Sequence, residues 1–431
     1  MKLSRRISRR RVAMFSVASI LALGTVAVWP NSASADSSEG MECQTNAHST
    51  FSLTASDGYI STPDGNSIYM WSYRNSSGGF QLPGPTLCVT SGDAVTIVLH
   101  NALPEATSVV FPGQTGVKAN GNPAQPQFDT GGSLISLVQS APFDGSVTYT
   151  FTAGSPGTYL YESGTDVNKQ VQMGMYGALV VRPVGHPDQV NDRADSRFTL
   201  GKEYVFLLSE VDPAVHVDVE RNQPIDWKTY TARYFMINGR SMPDTIAPNH
   251  ASWLPSQPYG ALVHIKPYDS VSNPYPATIR YLNAGTVNYP FHPHGSDERV
   301  INRDGHPLAG PGGEDLSYQK YDIDVGPGQG VDVLMDWRDV EQWNPATNPI
   351  PTQIPAITDQ LLPGSDTWFS ESGYLGTKNA LPAYTTSNNQ CGEYYHIAHS
   401  HALEQSTNYG AAFGGMMTLF RVDPPSGCTA Q

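Results

Sequence analysis

Two His-x-His pairs stand near the end of the chain, His292-Pro293-His294 and His399-Ser400-His401. On an extended strand, residues at i and i+2 face the same side, so each pair presents two imidazoles to one region. Imidazole is a good ligand for copper, zinc, iron and nickel. A single such pair in a β-protein is more often a surface or hydrogen-bonded feature. Two pairs, followed by Gly295 and by Gly414-Gly415-Met416-Met417 respectively, make a site of several ligands the expectation. His396 lies an odd number of residues before His399, faces the other way by the same period, and reads as structural. Asp297 and Asp304 are candidates to orient metal-bound imidazoles. The plainer reading of Asp297, Glu298, Arg299, Arg303 and Asp304 is an ion-paired strand end.

These histidines need strands to carry them, and the rest of the chain supplies the pattern. With 40 Gly and 34 Pro, it is broken into short Val/Thr/Tyr-rich runs separated by turn residues. Ala94 to Leu99, Ser146 to Phe151, Gly157 to Tyr161, Ala178 to Val181 and Tyr204 to Leu208 read as strands. Such spacing predicts an all-β fold of sandwiches. An internal repeat sets the plan. Gly157-Thr158-Tyr159-Leu160-Tyr161-Glu162-Ser163-Gly164, then Gln172 to Val181, closes the first half. Tyr395 to His401, then Gly414 to Phe420, closes the second in the same way. Earlier in each half, a strand leads into Val110-Phe111-Pro112-Gly113 and into His292-Pro293-His294-Gly295. The expected layout is a first sandwich over 41–184, a linker over 185–197, and a second sandwich over 198–424 with a long loop at 341–389.

The paired motifs Tyr289-Pro290-Phe291-His292-Pro293-His294-Gly295 and His399-Ser400-His401 with the later Gly-Met resemble the two carboxy-terminal copper motifs of multicopper oxidases. The resemblance implies two cupredoxin-like Greek-key β-sandwich domains and copper as the cofactor, with zinc, iron and manganese as alternatives. It places His292 at the type-2 position and His294, His399 and His401 at type-3 positions. Glu162 falls where a further type-3 histidine stands in the family, and a carboxylate also ligates metals. The chain departs from the family elsewhere. Val110, Pro112 and Gly164 replace other cluster histidines, and Tyr289, Ser400 and Gln405 replace the two imidazoles and the thiolate of the type-1 centre. Met416 or Met417 matches its axial ligand. A blue-copper centre needs the thiolate, so ordinary laccase turnover is not expected. The likeness to two-domain laccases implies a homotrimer.

Residues 1–35 read as a targeting leader: Arg5, Arg6, Arg9, Arg10 and Arg11, an apolar run from Val12 to Val28, then Ala33-Ser34-Ala35. The two Arg-Arg pairs point to the twin-arginine route, an ordinary secretory signal being the alternative. The expected destination is secretion or the cell envelope, with no membrane span after cleavage. The formal charge is −14 for the chain and near −20 without the leader, which carries six basic and no acidic residues. That acidity argues against nucleic acid as a partner. Export permits disulfides, and Cys43, Cys88, Cys391 and Cys428 predict two bridges of open connectivity. There is no serine nucleophile elbow, phosphate-binding glycine loop or zinc-protease helix in the sequence. Three functions follow: a copper-dependent oxidoreductase acting on a small-molecule or metal-ion substrate that the sequence does not name, a non-catalytic copper-binding or storage protein, and an envelope interaction protein.

Overall fold

The alternation in Ala94–Asn101 shows how this sequence makes its sheets. Val95, Ile97 and Leu99 are buried while the intervening positions are more open, the pattern of a strand with one face on a core. Ser146–Thr152 repeats it and pairs antiparallel with Ala94–Asn101. The structure is a computed structural model that describes residues 39–46, 48–338 and 394–423. The leader, the whole of the 341–389 loop, Cys391 and Cys428 lie outside the described residues.

The strands form two successive groups. In the first, a six-stranded sheet runs in the order Ser67–Asn75, Thr50–Ser61, Ala94–Asn101, Ser146–Thr152, Lys118–Ala119, Asn122–Pro123. It faces a three-stranded sheet of Gly157–Glu162, Tyr176–Arg182 and Leu87–Thr90. Thr50–Ser61 lies parallel to Ala94–Asn101, and Leu87–Thr90 parallel to Tyr176–Arg182; such pairing requires chain crossovers. Phe51, Leu53, Ile97, Leu99, Tyr149, Tyr161 and Leu179 fill the space between.

In the second group, a nine-stranded sheet contains Glu298–Arg303, Gly330–Met335, Ala277–Asn283, Glu203–Val211 and Tyr234–Ile237 in that order. A five-stranded sheet runs Val263–Ile265, Met417–Val422, Tyr394–Ser400, Tyr289–Pro293, Ile323–Val325. Phe206, Tyr281, Phe291, Val331 and Phe420 lie between them. The all-β, cupredoxin-like two-sandwich expectation holds, and the five strands read from the sequence are all present.

Glu203–Val211 is buried at every position. One face packs in its own core, through Phe206 and Leu208. The other, through Val205, Leu207 and Val211, joins Ile60, Met70, Leu160 and Ala178 of the first sandwich. A run apolar on both faces is what such a central position demands. Residues 185–197, read as the linker, pack against the second sandwich. Val190 and Phe198 pack with Ile301 and Leu334, and Asn191 donates to Asn302 at 2.6 Å. Two short helices, Val167–Gln172 and Pro213–Glu220, add to the strand pattern; the second has Asp212 as N-cap and Pro213 in its first turn. Cys43 and Cys88 form a disulfide. Among the described residues, no helix is long and apolar enough to cross a membrane.

Glu298 is a buried carboxyl in the second core, fully enclosed and hydrogen-bonded by the Tyr281 hydroxyl at 3.0 and 3.1 Å. Burial pushes it up to about 8, against the opposing pull of Tyr281. An acid raised on folding contributes stability that is fully present below its unfolded pKa and lost as pH rises through the folded one. At about 1.4 kcal/mol per pKa unit, wild type should lose on the order of 3–5 kcal/mol between about pH 4.5 and 8 from this group. Glu298→Gln keeps the acceptor and cannot ionise. Denaturation at a series of pH values should show the variant gaining on wild type across that window; parallel curves would contradict it.

Candidate metal centre

The two histidine pairs are carried by neighbouring strands. Tyr289–Pro293 pairs antiparallel with Tyr394–Ser400, and the register sets His292 directly opposite His399. His294 and His401 follow just beyond the strand ends, so the four imidazoles gather at one edge. Ring centroids are 4.6 Å apart for His292–His294, 5.1 Å for His292–His401, 5.2 Å for His294–His399 and 5.7 Å for His399–His401. The first sandwich repeats the arrangement: Val110 is paired antiparallel with Glu162, as the sequence repeat aligns them with His292 and His399. The scaffold is duplicated; the imidazoles are present only in the second copy.

Hydrogen bonds set the tautomers. His292 Nδ1 lies 2.5 Å from the Tyr321 carbonyl, and His399 Nδ1 lies 2.8 Å from the Ser400 carbonyl. A carbonyl only accepts, so both Nδ1 atoms carry the proton and both Nε2 atoms present lone pairs. His399 Nε2 faces His294 Nε2 at 3.2 Å. Burial pushes the His399 imidazole down to about 4; the Ser400 carbonyl opposes this and the other histidines add to it. At neutral pH it is therefore the uncharged ligand form.

A 3.2 Å gap is within the span of two metal–imidazole bonds of about 2.0–2.1 Å, so the donors fit an imidazole-bound ion. Among the described residues, no three His, Cys, Asp or Glu side chains already form a ready ion site. The cluster meets pairwise, and ring rotation is needed to bring a third nitrogen in. A cleft of about 330 Å3 lined by His292, His294, Ser296, Asp297 and Tyr321 opens beside it. It shares Gly295, Ser296 and Asp297 with a larger groove of about 690 Å3. Tyr321 escapes sequence reasoning. It sits across from the histidine strand only because Phe291 is in register with Ile323, and no local motif marks it.

Glu162 lies elsewhere. It lines a separate cleft of about 220 Å3 with Gln172, Tyr176, Glu210 and Thr286, where burial pushes its carboxyl up to about 7. None of the four histidines lines that cleft. Asp304 is also apart from the cluster: it bonds the Gly330 amide at 3.0 Å. His396 is fully buried against Trp337, centroids 4.4 Å apart, in line with the structural reading. Its neighbour Gly295 has φ +87°, and an added Cβ would come within 2.6 Å of His396 Nδ1, so only glycine fits there.

The three positions in place of a type-1 centre are occupied by hydrogen bonds. Ser400 Oγ donates to Gln405 Oε1 at 2.5 Å, and Gln405 Nε2 donates to the Asn288 carbonyl at 3.1 Å. The Tyr289 hydroxyl bonds the buried Glu210 carboxylate, which also accepts from Thr286 N, Thr286 Oγ1 and Tyr230. Met416 is fully buried in the core.

Residues 62–185 match a family model described as multicopper oxidase. The chain is 30% identical over 153 residues to multicopper oxidase CTB12 of Cercospora beticola, covering 35% of this chain and 21% of that one. It is 30% identical over 129 residues to copper resistance protein A of Escherichia coli, covering 30% and 18%. The chain thus spans about a fifth of the length of these curated relatives. Among solved structures, a blue copper oxidase from Nitrosomonas europaea matches with a TM-score of 0.57 at 19% identity, over 88% of this chain and 86% of that one. That likeness is one of fold.

Proposed function

We propose that the chain is a member of the multicopper oxidase family, a reading supported by the match over residues 62–185, and that it is an exported copper-binding protein of oxidoreductase descent with a reduced set of copper sites. The observation that carries this reading is the histidine cluster. Four imidazoles from two hydrogen-bonded strands meet at one edge, His292 and His399 with Nδ1 tied to carbonyls and His399 Nε2 turned to His294. His292, His294, His399 and His401 would hold the ion, and copper bound there supplies a one-electron redox centre. The chain's own part is to fix the tautomers, to keep His399 neutral, and to offer the adjoining cleft to a small molecule or metal ion.

The polar bonds of Ser400, Gln405 and Tyr289 support the loss of the type-1 centre and favour a second reading, copper binding or storage without turnover. Purified protein is expected to lack intense blue absorption, because that colour needs a copper–thiolate bond and Ser400 offers a hydroxyl. A strong blue band would contradict the assignment. Oxygen uptake with phenols or metal ions distinguishes an oxidoreductase from a storage protein.

Assembly as a homotrimer is part of the proposal, since it would bring Glu162 of one chain toward the histidines of the next through head-to-tail contacts that close by rotation. Light scattering at physiological salt should give three times the chain mass. A mass of one chain would remove Glu162 from the site.

A further inference from the structure

Residues 39–44 run from one sandwich to the other. At one end, Cys43 is bonded to Cys88, and Gln44 bridges the Leu87–Thr90 strand through Gln44 N to Thr86 O at 2.8 Å and Cys88 N to Gln44 O at 3.0 Å. At the other end the hydrogen bonds go to the second sandwich. Met41 N donates to the Glu203 carbonyl at 2.7 Å, Asn249 donates to the Gly40 carbonyl at 2.9 Å, and Glu42 meets His250 at 2.7 Å. The Met41 side chain packs on the apolar cluster shared by the two sandwiches. Gly40 has φ +85°, and a Cβ there would approach the Glu203 carbonyl to 3.1 Å, so the close run of the segment depends on glycine.

The segment ends on an ion cluster. His264 Nδ1 lies 2.9 Å from Glu39 and His264 Nε2 lies 2.5 Å from Asp423. Asp423 is also held by Arg421 at 3.1 Å. A carboxylate accepts, so both ring nitrogens must donate, and only the imidazolium form does so. We propose that residues 39–44 are a pH-sensitive strap across the seam of the two sandwiches, closed by protonated His264.

The charged groups facing His264 are Glu39, Asp423, Lys202 and Arg421, with Tyr204 bonded to its backbone. Burial works against the imidazolium, and the bonds to Asp423 and Glu39 outweigh it, so the group is raised above its ordinary value. A raised histidine gives stability that is fully present below its unfolded pKa of about 6.5 and lost as pH rises through the folded one. The longer bond, to Glu39, is the one expected to open. His250 with Glu42 is exposed and adds little. The disulfide end has no such dependence, which makes the strap a lever hinged at Cys43.

Hydrogen exchange of the whole protein tests this, with the Gln44 amide as internal control for Met41. Between about pH 6 and 9, after correction for intrinsic rates, Met41 should lose at least about tenfold protection relative to Gln44. His264→Gln should show the open ratio at every pH. Glu39→Gln, at a partly exposed site where misfolding is not expected, should shift opening to lower pH. A Met41-to-Gln44 ratio constant with pH in wild type, or unchanged by Glu39→Gln, would overturn the proposal.

Discussion

The His292→Ala/His399→Ala double variant is expected to lose nearly all the copper that wild type retains through dialysis. The two residues face each other across the strand pair. Removing both leaves one imidazole on each strand end and no cross-strand pair with fixed tautomers. Copper affinity rests on the number of imidazoles that close on the ion, and two flexible ligands bind far more weakly than three or four. Each single variant should also lower the content sharply, because the cluster has no ready third ligand to spare. The fold should tolerate the change, since His292 is only partly buried and the strands are held by backbone bonds. Equal copper in the double variant and in wild type would put the metal elsewhere and leave the interaction-protein reading in front.

Much of this cluster is legible in the amino-acid sequence. The i and i+2 spacing of His292/His294 and His399/His401, and the repeat that aligns Val110 with His292 and Glu162 with His399, both reappear as strand register. Periodicity reports which side of a strand a residue faces, and a duplicated scaffold keeps its register. Contacts made across long sequence distances are not legible. The Tyr321 carbonyl on His292 and the Glu210 carboxylate under Tyr289 depend on how separate strands are stacked, which no local spacing encodes. The packing of residues 185–197 is hidden for the same reason, because their polar composition does not mark Val190, which closes a small core with Phe198, Ile301 and Leu334. Glu203 and Arg280 lie in strands that read as apolar, yet they are polar and enclosed.

That enclosed pair carries a large expected effect on stability. Arg280 is fully buried. It donates from Nε to Glu203 at 2.7 Å and from Nη1 to Thr158 of the first sandwich at 2.9 Å, with Asp332 at 3.6 Å. Asp332 is itself enclosed and takes hydrogen bonds from Thr158 and from Asn302. Glu203 also pairs with Arg182 at 2.7 Å, so the network ties both sandwiches together. Arg280→Met keeps much of the volume and removes the cation, leaving the Asp332 carboxylate buried without one. Breaking a buried pair in this way costs about 3–5 kcal/mol. Chemical denaturation should show that loss, and Arg280→Met/Asp332→Asn should recover part of it. A single variant within about 1 kcal/mol of wild type would mean that the carboxylates are neutralised by other means.

The central claim is that the four clustered imidazoles hold copper. Elemental analysis with electron paramagnetic resonance, on purified and dialysed protein loaded with copper, tests it most directly. The account predicts bound copper with a spectrum showing several equivalent nitrogen couplings from imidazole, lost in the His292→Ala/His399→Ala variant. Protein that retains no copper after dialysis, or copper whose spectrum shows no imidazole nitrogen, would contradict it.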